Sequence, residues 1–191
     1  EDFLPFDVNV TTLDPGLAAL AKSNINDSTW GIRAINTQPT DGFGSGIGGI
    51  AYLNSFAYNQ DTPVFTFNKG ARNGGMTNSH EVGHALGLRH QGLNSQSYHP
   101  GTGTGQTSWG PILGAPFGKR LTQWSNSDYD GATINQDDLT VITSNRNGFG
   151  YRDDDHGSNL QSATVITANE SQQLSSWGIV ERTEDQDWFS F

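Results

Sequence analysis

The sequence predicts an α+β fold: a run of short strands, then one long helix, then a partial β segment near the end. The first third of the chain holds short runs of mixed apolar and polar residues bounded by Gly, Asn and Pro, which is typical of strands and turns. Residues 71–88 follow these strands and contain two histidines four positions apart, a spacing that places both on one helix face. After residue 151 the composition changes and strand-like segments return.

The predicted elements follow in a simple order. Strands of the first half are predicted at residues 6–12, 30–36, 50–53 and 64–67. A short helix at 13–23 separates the first two strands, and a glycine-rich loop at 42–49 leads into the third. The long helix spans about 71–88, a second helix is predicted at 135–144, and later strands at 163–166, 178–181 and 185–191.

The long helix carries the pattern H-E-x-x-H-x-x-G-x-x-H, formed by His80, Glu81, His84, Gly87 and His90. The first two histidines lie one helical turn apart and can bind one metal ion. Glycine accepts a positive φ and commonly ends a helix, so the chain can turn back after it. The third histidine can then reach the same ion from outside the helix.

Three imidazoles and one open position are typical of a catalytic zinc site, because a structural site normally fills its fourth position from the protein. Glu81 follows the first ligand directly and points to a neighbouring face, which suits a general base better than a ligand. The alternative interpretation is a structural zinc site, which would not require the glutamate. An inactive protein that keeps the whole motif is a second alternative.

This motif resembles that of the metzincin clan of zinc endopeptidases, in which a third histidine follows the glycine. Thermolysin-like enzymes share only H-E-x-x-H and take a glutamate from a later helix, so His90 favours metzincins. The resemblance implies a mixed, twisted sheet packed on the active-site helix and an irregular C-terminal subdomain. It also implies that His80, His84 and His90 bind zinc and that Glu81 acts as general base and acid.

The chain departs from the clan beneath the metal. Metzincins place a methionine in a tight turn downstream of the third histidine, whereas the one methionine here is Met76, upstream of the motif. Residues 109–116 look like the W-x-P-I-M-G segment of some secreted bacterial metzincins, with Leu113 in the methionine's position. Some members add a tyrosine ligand two residues later, where this chain has Ala115, so no tyrosine ligand is expected.

The substrate is expected on the edge of the sheet. In the clan, the strand two before the zinc helix lies antiparallel to the bound peptide, an instance of strand addition. Gly49, Ile50 and Ala51 are the candidate substrate-binding residues, because small residues there let a peptide backbone approach closely. A plain edge strand without a binding role is the alternative.

The resemblance also predicts that the chain consists of two parts. Residues 1–150 are expected to form the catalytic domain, with the N-terminal strand and helix of the clan missing from this sequence. Residues 151–191 are expected to form a linker and the start of a β-sandwich of the pre-peptidase C-terminal type. The segment 185–191 resembles the D-x-D-x-[FY]-x-[FV] strand of such domains.

A cluster of acidic residues opens this second part. Asp153, Asp154 and Asp155 could bind calcium, since hard cations prefer clustered carboxylates. They lack the D-x-D-x-D-G spacing of known calcium loops, so a solvated acidic turn is the favoured interpretation. The loop at 91–107 is polar and glycine-rich, and Tyr98 in it could line the substrate cleft. Its neighbour His99 is expected to be solvated and is not counted as a ligand.

Composition narrows the class of protein. The formal net charge of −10 argues against nucleic acid and anionic membranes as partners. No apolar run is long enough to span a membrane, and the chain has no cysteine. The polar, loop-rich composition is typical of secreted proteins.

The sequence therefore predicts a secreted zinc endopeptidase that acts on proteins or peptides. A catalytically inactive zinc-binding module that recognises peptides or surfaces is the first alternative. A structural segment of a larger surface protein is the second. The oligomeric state stays open.

Overall fold

The computed structural model describes residues 2–38, 43 and 46–191. It divides the chain into two compact units. One comprises Thr11–Gly148, and the other combines Glu1–Val10 with Phe149–Phe191. The predicted domains, with a boundary at residue 150 and a β-sandwich beginning at 151, stay a prediction.

A small mixed sheet forms the first half of the larger unit. Its strands are β1 (Ala34–Asn36), β2 (Gly49–Ile50) and β3 (Val64–Thr66), in the order β1-β3-β2. The central strand β3 runs parallel to β1 and antiparallel to β2. The mixed sheet and the helix that follows confirm the predicted α+β class. The glycine-rich loop expected at 42–49 lies partly outside the described residues.

The long helix α1 spans Ala71–Leu86 and ends two residues earlier than predicted. Gly87 terminates it in the left-handed region at φ 110°, and its N–H donates to the carbonyl oxygen of His84. A side chain there would be strained, and its Cβ would lie 2.8 Å from the Oδ1 atom of Asn54. The turn needed to bring His90 back toward the helix therefore depends on glycine at this position.

The rest of the larger unit is irregular. Strands β4 (Trp109–Pro111) and β5 (Leu121–Gln123) form a parallel pair, and the short helix α2 spans Asp138–Ile142. Asp137 caps α2 by accepting hydrogen bonds from two backbone N–H groups of its first turn. The buried apolar side chains of this unit come from the 3₁₀ turn Leu17–Leu20 and from the regions of the sheet, α1, β4 and α2: Leu20, Val64, Phe67, Ala85, Leu86, Leu88, Ile112, Leu113 and Ile142.

The smaller unit contains the parallel strands β6 (Thr164–Val165) and β7 (Phe189–Ser190). Phe6 is its fully buried aromatic residue and stacks on Tyr151 with ring centroids 5.6 Å apart. The predicted strand at 6–12 is wrong, because only an isolated bridge joins Phe6 to Tyr151 and the following residues are mostly exposed. A few contacts to a neighbouring segment cannot replace a continuous strand partner.

Two further expectations are wrong. The helix predicted at 13–23 is only the single 3₁₀ turn Leu17–Leu20, and residues 178–181 form no strand. The segment 13–23 is largely exposed, so it has no apolar face to bury that would stabilise a longer helix. Within the described residues, no helix has both the length and the hydropathy that crossing a membrane requires.

Candidate metal centre

Three histidines converge beside the last turns of α1. His80 and His84 project from the same helix face with ring centroids 4.7 Å apart. The chain turns at Gly87 and returns His90, whose Nε2 atom lies 3.0 Å from the Nε2 atom of His84. One nitrogen of each ring lies within 4.8 Å of the other two. Two nitrogens bound tetrahedrally to one zinc ion are about 3.3 Å apart, so the arrangement fits zinc.

Backbone carbonyls fix two of these rings. The Nδ1 atom of His80 lies 2.7 Å from the carbonyl oxygen of Ile112, and that of His84 lies 2.7 Å from the carbonyl oxygen of Leu88. A carbonyl oxygen only accepts, so both rings carry their proton on Nδ1. Their Nε2 lone pairs are therefore left for a metal. Neither carbonyl contact could be predicted from the sequence, because both depend on how the chain folds after the helix.

The surroundings keep the imidazoles neutral. Burial lowers the pKa of His80 to about 3 and that of His90 to about 4, and the positive charge of neighbouring histidines adds to the effect. Burial also lowers the pKa of His84. Neutral imidazole is the form that binds zinc. The donor atoms, their protonation and their spacing are all those of a three-histidine zinc site.

Glu81 directly follows His80 on α1 and is buried. It is 6% exposed, and burial raises its pKa to about 7. A Cβ atom on Gly49 would lie 2.6 Å from the Oε1 atom of Glu81 and 2.6 Å from the carbonyl oxygen of Phe65. Only glycine therefore allows strand β2 to approach the carboxylate this closely.

The three candidate substrate-binding residues lie at the sheet edge. Gly49 and Ile50 form strand β2, which is the outer strand of the described sheet, and Ala51 follows it directly. Gly49 lies against the side chain of Glu81, and Ile50 is 42% exposed. The structure thus brings this strand against the side chain of Glu81. The binding of a substrate by these three residues stays a prediction.

Leu113 lies beneath the helix, as expected for the residue in the methionine's position. Its side chain is fully buried, and its Cδ2 atom would lie 3.2 Å from a Cβ atom built on Gly83 of α1. Its carbonyl oxygen accepts a hydrogen bond from the N–H of Gln91, the residue after His90. Ala115 has no side-chain donor, so it adds no ligand to the centre.

A hydrogen-bond network that the motif does not reveal holds the segment around His90. The side chain of Gln136 accepts from the N–H of Arg89 at 3.0 Å and donates to its carbonyl oxygen at 3.1 Å. Asp138 is fully buried and accepts from the side chains of Gln91 and Gln136, each at 2.8 Å. The residues on both sides of the third histidine are therefore anchored to the start of α2. The sequence showed only that Gln136 and Asp138 suit a helix start.

The loop after His90 contributes an aromatic side chain. The ring of Tyr98 lies 4.2 Å from that of His90 and 6.3 Å from that of His80, measured between centroids. Burial and the charge of Glu81 raise the pKa of Tyr98. The expectation of a solvated His99 is wrong: the residue is 1% exposed, its Nδ1 accepts from the N–H of Gly101, and its ring packs against Trp109.

Comparison with known proteins supports the same kind of centre. Residues 17–91 match the model of the reprolysin-like metallopeptidase family M12B, and this segment includes the whole motif. No curated protein and no solved structure matches the chain significantly. Together, the family match and the three-histidine site confirm the resemblance to a metzincin-type zinc metalloprotease and support zinc-dependent peptidase activity.

Proposed function

We propose that this protein is a secreted zinc-dependent endopeptidase in which Glu81 is the general base and acid. The observation that carries the proposal is the position of Glu81, which directly follows the ligand His80 on α1, is buried, and lies against Gly49 of the edge strand. A structural zinc site has no use for a carboxylate in that position. Secretion is inferred from the acidic, polar composition.

His80, His84 and His90 would hold zinc through the nitrogens that converge beside the helix. Zinc, when bound, supplies a Lewis acid that lowers the pKa of a coordinated water to about 7 and polarises the substrate carbonyl. Glu81 would accept a proton from the attacking water and then donate it to the leaving amine. Burial raises the pKa of Glu81 to about 7, which supports this role, because such a carboxyl can hold a proton near neutral pH.

The substrate would bind as an extended chain along β2. An edge strand offers unpaired N–H and C=O groups, and a peptide can add to them as a further strand. Gly49 would let the peptide backbone pass close to Glu81, and Ile50 and Ala51 would continue the contact. Tyr98 is 43% exposed over His90, so its ring would border the bound peptide on the side of the loop.

Hydrolysis of casein, an unstructured protein, tests the activity. The zinc-loaded chain is expected to cleave it, and 1,10-phenanthroline, which removes zinc, is expected to stop the cleavage. Adding back zinc should restore it. Absence of cleavage with one zinc bound per chain would contradict the endopeptidase and favour the inactive zinc-binding module.

Replacement of the glutamate tests its role. Glu81→Ala is expected to lower kcat/KM by a factor of about 10² to 10⁴, because the general base is lost while the three ligands remain. Zinc content, measured by mass spectrometry, should stay at one ion per chain. Glu170→Ala, at an exposed glutamate of the other unit, is the matched control and should keep full activity. Cleavage by Glu81→Ala at the wild-type rate would refute the assignment.

A further inference from the structure

Residues 149–191 contain a second gathering of metal-ligand side chains. One carboxylate oxygen from each of Asp154, Glu181 and Asp185 lies within 4.8 Å of the other two. A neighbouring group, Asp155, His156 and Asp187, meets the same limit. Two stretches of chain, 154–156 and 181–187, therefore bring five carboxylates together. Such groups repel one another unless a proton or a cation intervenes.

Glu181 distinguishes this cluster from an ordinary acidic surface. It is only 4% exposed, and neither of its carboxylate oxygens has a hydrogen-bond partner among the described residues. The Oδ1 atom of Asp187 is buried and equally unpartnered in that part of the chain. A buried carboxylate without a donor is costly, so native proteins normally satisfy such groups or bind an ion there.

No cationic side chain in the described part of the chain hydrogen-bonds to these oxygens. The ring of His156 uses both nitrogens elsewhere, 2.8 Å from the hydroxyl of Thr164 and 2.8 Å from the carbonyl oxygen of Trp177. The guanidinium of Arg182 lies over the ring of Tyr151, 5.4 Å from its centroid. Burial and the neighbouring carboxylates raise the pKa of Glu181. This direction is expected where no positive charge stabilises the ionised carboxylate.

We propose that Asp154, Glu181 and Asp185 bind a calcium ion, with Asp155 and Asp187 adding negative charge around it. Calcium binds carboxylate oxygens at 2.3–2.6 Å, so oxygens that share one ion lie no more than about 5 Å apart. The observed limit of 4.8 Å meets this condition. Carboxylate oxygens also suit calcium better than zinc or copper, which prefer nitrogen and sulfur.

This site differs from the one considered from the sequence. Asp153 belongs to neither group, and Asp154 and Asp155 act together with residues about thirty positions later. No D-x-D-x-D-G loop is needed, because the ligands come from two separate stretches. The ion would hold these two stretches together, so calcium is expected to stabilise the fold of residues 149–191.

Calorimetric titration of the zinc-loaded, calcium-free full chain with CaCl₂ tests the proposal. One calcium ion per chain is expected to bind. Glu181→Gln, which keeps the shape of the side chain and removes its charge, is expected to weaken binding at least tenfold. Glu170→Gln removes an exposed glutamate outside the cluster and should change the affinity less than twofold. Asp154→Asn provides an independent variant with the same expected loss.

Folding is checked separately. Circular dichroism and thermal unfolding without calcium should show Glu181→Gln as folded as the wild type, because the substitution relieves carboxylate repulsion. Calcium should raise the unfolding temperature of the wild type and leave that of Glu181→Gln unchanged. Wild-type protein that binds no calcium, equal binding by both glutamate variants, or equal affinity for magnesium would each overturn the proposal.

Discussion

The three-histidine centre and the carboxylate cluster are both sets of metal-ligand side chains, but the protein prepares them differently. In the histidine centre, the Nδ1 atoms of His80 and His84 each contact a backbone carbonyl oxygen at 2.7 Å. In the carboxylate cluster, the buried oxygens of Glu181 have no donor among the described residues. Protein groups thus orient two rings of the histidine centre, whereas no group within the described residues satisfies the buried carboxylate of Glu181.

The difference follows from the charge of the ligands. Neutral imidazoles can be gathered at small electrostatic cost, and each has a second nitrogen through which the backbone can orient it. Carboxylates are charged at neutral pH and use the same kind of oxygen for every contact. We therefore expect the histidine centre to keep its geometry without metal and the carboxylate cluster to depend on its ion.

The contribution of the protein scaffold to the histidine centre is tested most strongly at Asp138. Asp138→Ala removes the buried carboxylate that accepts hydrogen bonds from the side chains of Gln91 and Gln136 and from the N–H of Ser125. Zinc affinity is expected to fall about 10- to 100-fold, and the free energy of unfolding by roughly 2–4 kcal/mol. Zinc competition with a chromophoric chelator and urea denaturation measure the two effects.

Asp137→Ala is the matched control for that substitution. It removes the cap of α2, so it is expected to cost about 1 kcal/mol of stability while zinc affinity stays unchanged. Equal zinc affinity in both variants would show that the network around Asp138 does not support the metal centre.

The close approach of strand β2 to Glu81 provides the next test. In Gly49→Ala the new Cβ atom would lie 2.6 Å from the carbonyl oxygen of Phe65, which cannot move away as a side chain can. We expect a loss of about 1–3 kcal/mol of stability, and a fall of about tenfold in kcat/KM as Glu81 is displaced.

Gly75→Ala is the control for this glycine. A Cβ atom at Gly75 meets nothing within 4 Å, and the position lies in α1. This variant is expected to gain about 0.5–1 kcal/mol of stability and to keep its activity. Full activity in Gly49→Ala would contradict the proposal that the approach of the edge strand positions Glu81 for catalysis.

The pKa values of the histidines, measured in protein from which metal has been removed, provide a further comparison of the two regions. Burial disfavours the imidazolium form, so His80 and His90, with pKa values of about 3 and 4, should stay neutral from pH 8 to pH 5. The carbonyl of Trp177 and nearby carboxylates stabilise the charged form of His156, so the pKa of His156 should lie above 6.5. Imidazole NMR shifts against pH measure all three, and titration of His80 near pH 6.5 would contradict the burial argument.

The smallest effect on stability and activity is expected when methionine replaces Leu113 beneath α1. Leu113→Met is close to volume-conserving, so stability should change by less than about 1.5 kcal/mol and casein cleavage should stay within a few-fold. Leu113→Ala would leave a cavity under α1 and should cost about 2–5 kcal/mol. A large gain of activity in Leu113→Met would show that methionine does more there than fill space.

Much of the histidine centre was predictable because helix geometry is local. The spacing of His80 and His84 and the glycine at position 87 were enough to predict that three rings meet, and the structure brings them together. The prediction that the strand at Gly49 lies at the edge of the sheet also agrees with the observed sheet order. By contrast, the strand expected at 6–12 did not form, since alternation of residue types does not provide a partner strand.

The sequence by itself determined the residues of the metal centre, because two residues four positions apart on a helix lie on the same face. Only the tertiary structure decided which carbonyls orient the rings, how Gln136 and Asp138 anchor the segment of His90, and that Glu181 is buried among carboxylates from another stretch. These contacts join residues far apart in the chain. They result from the packing of whole elements, which no local pattern of residues encodes.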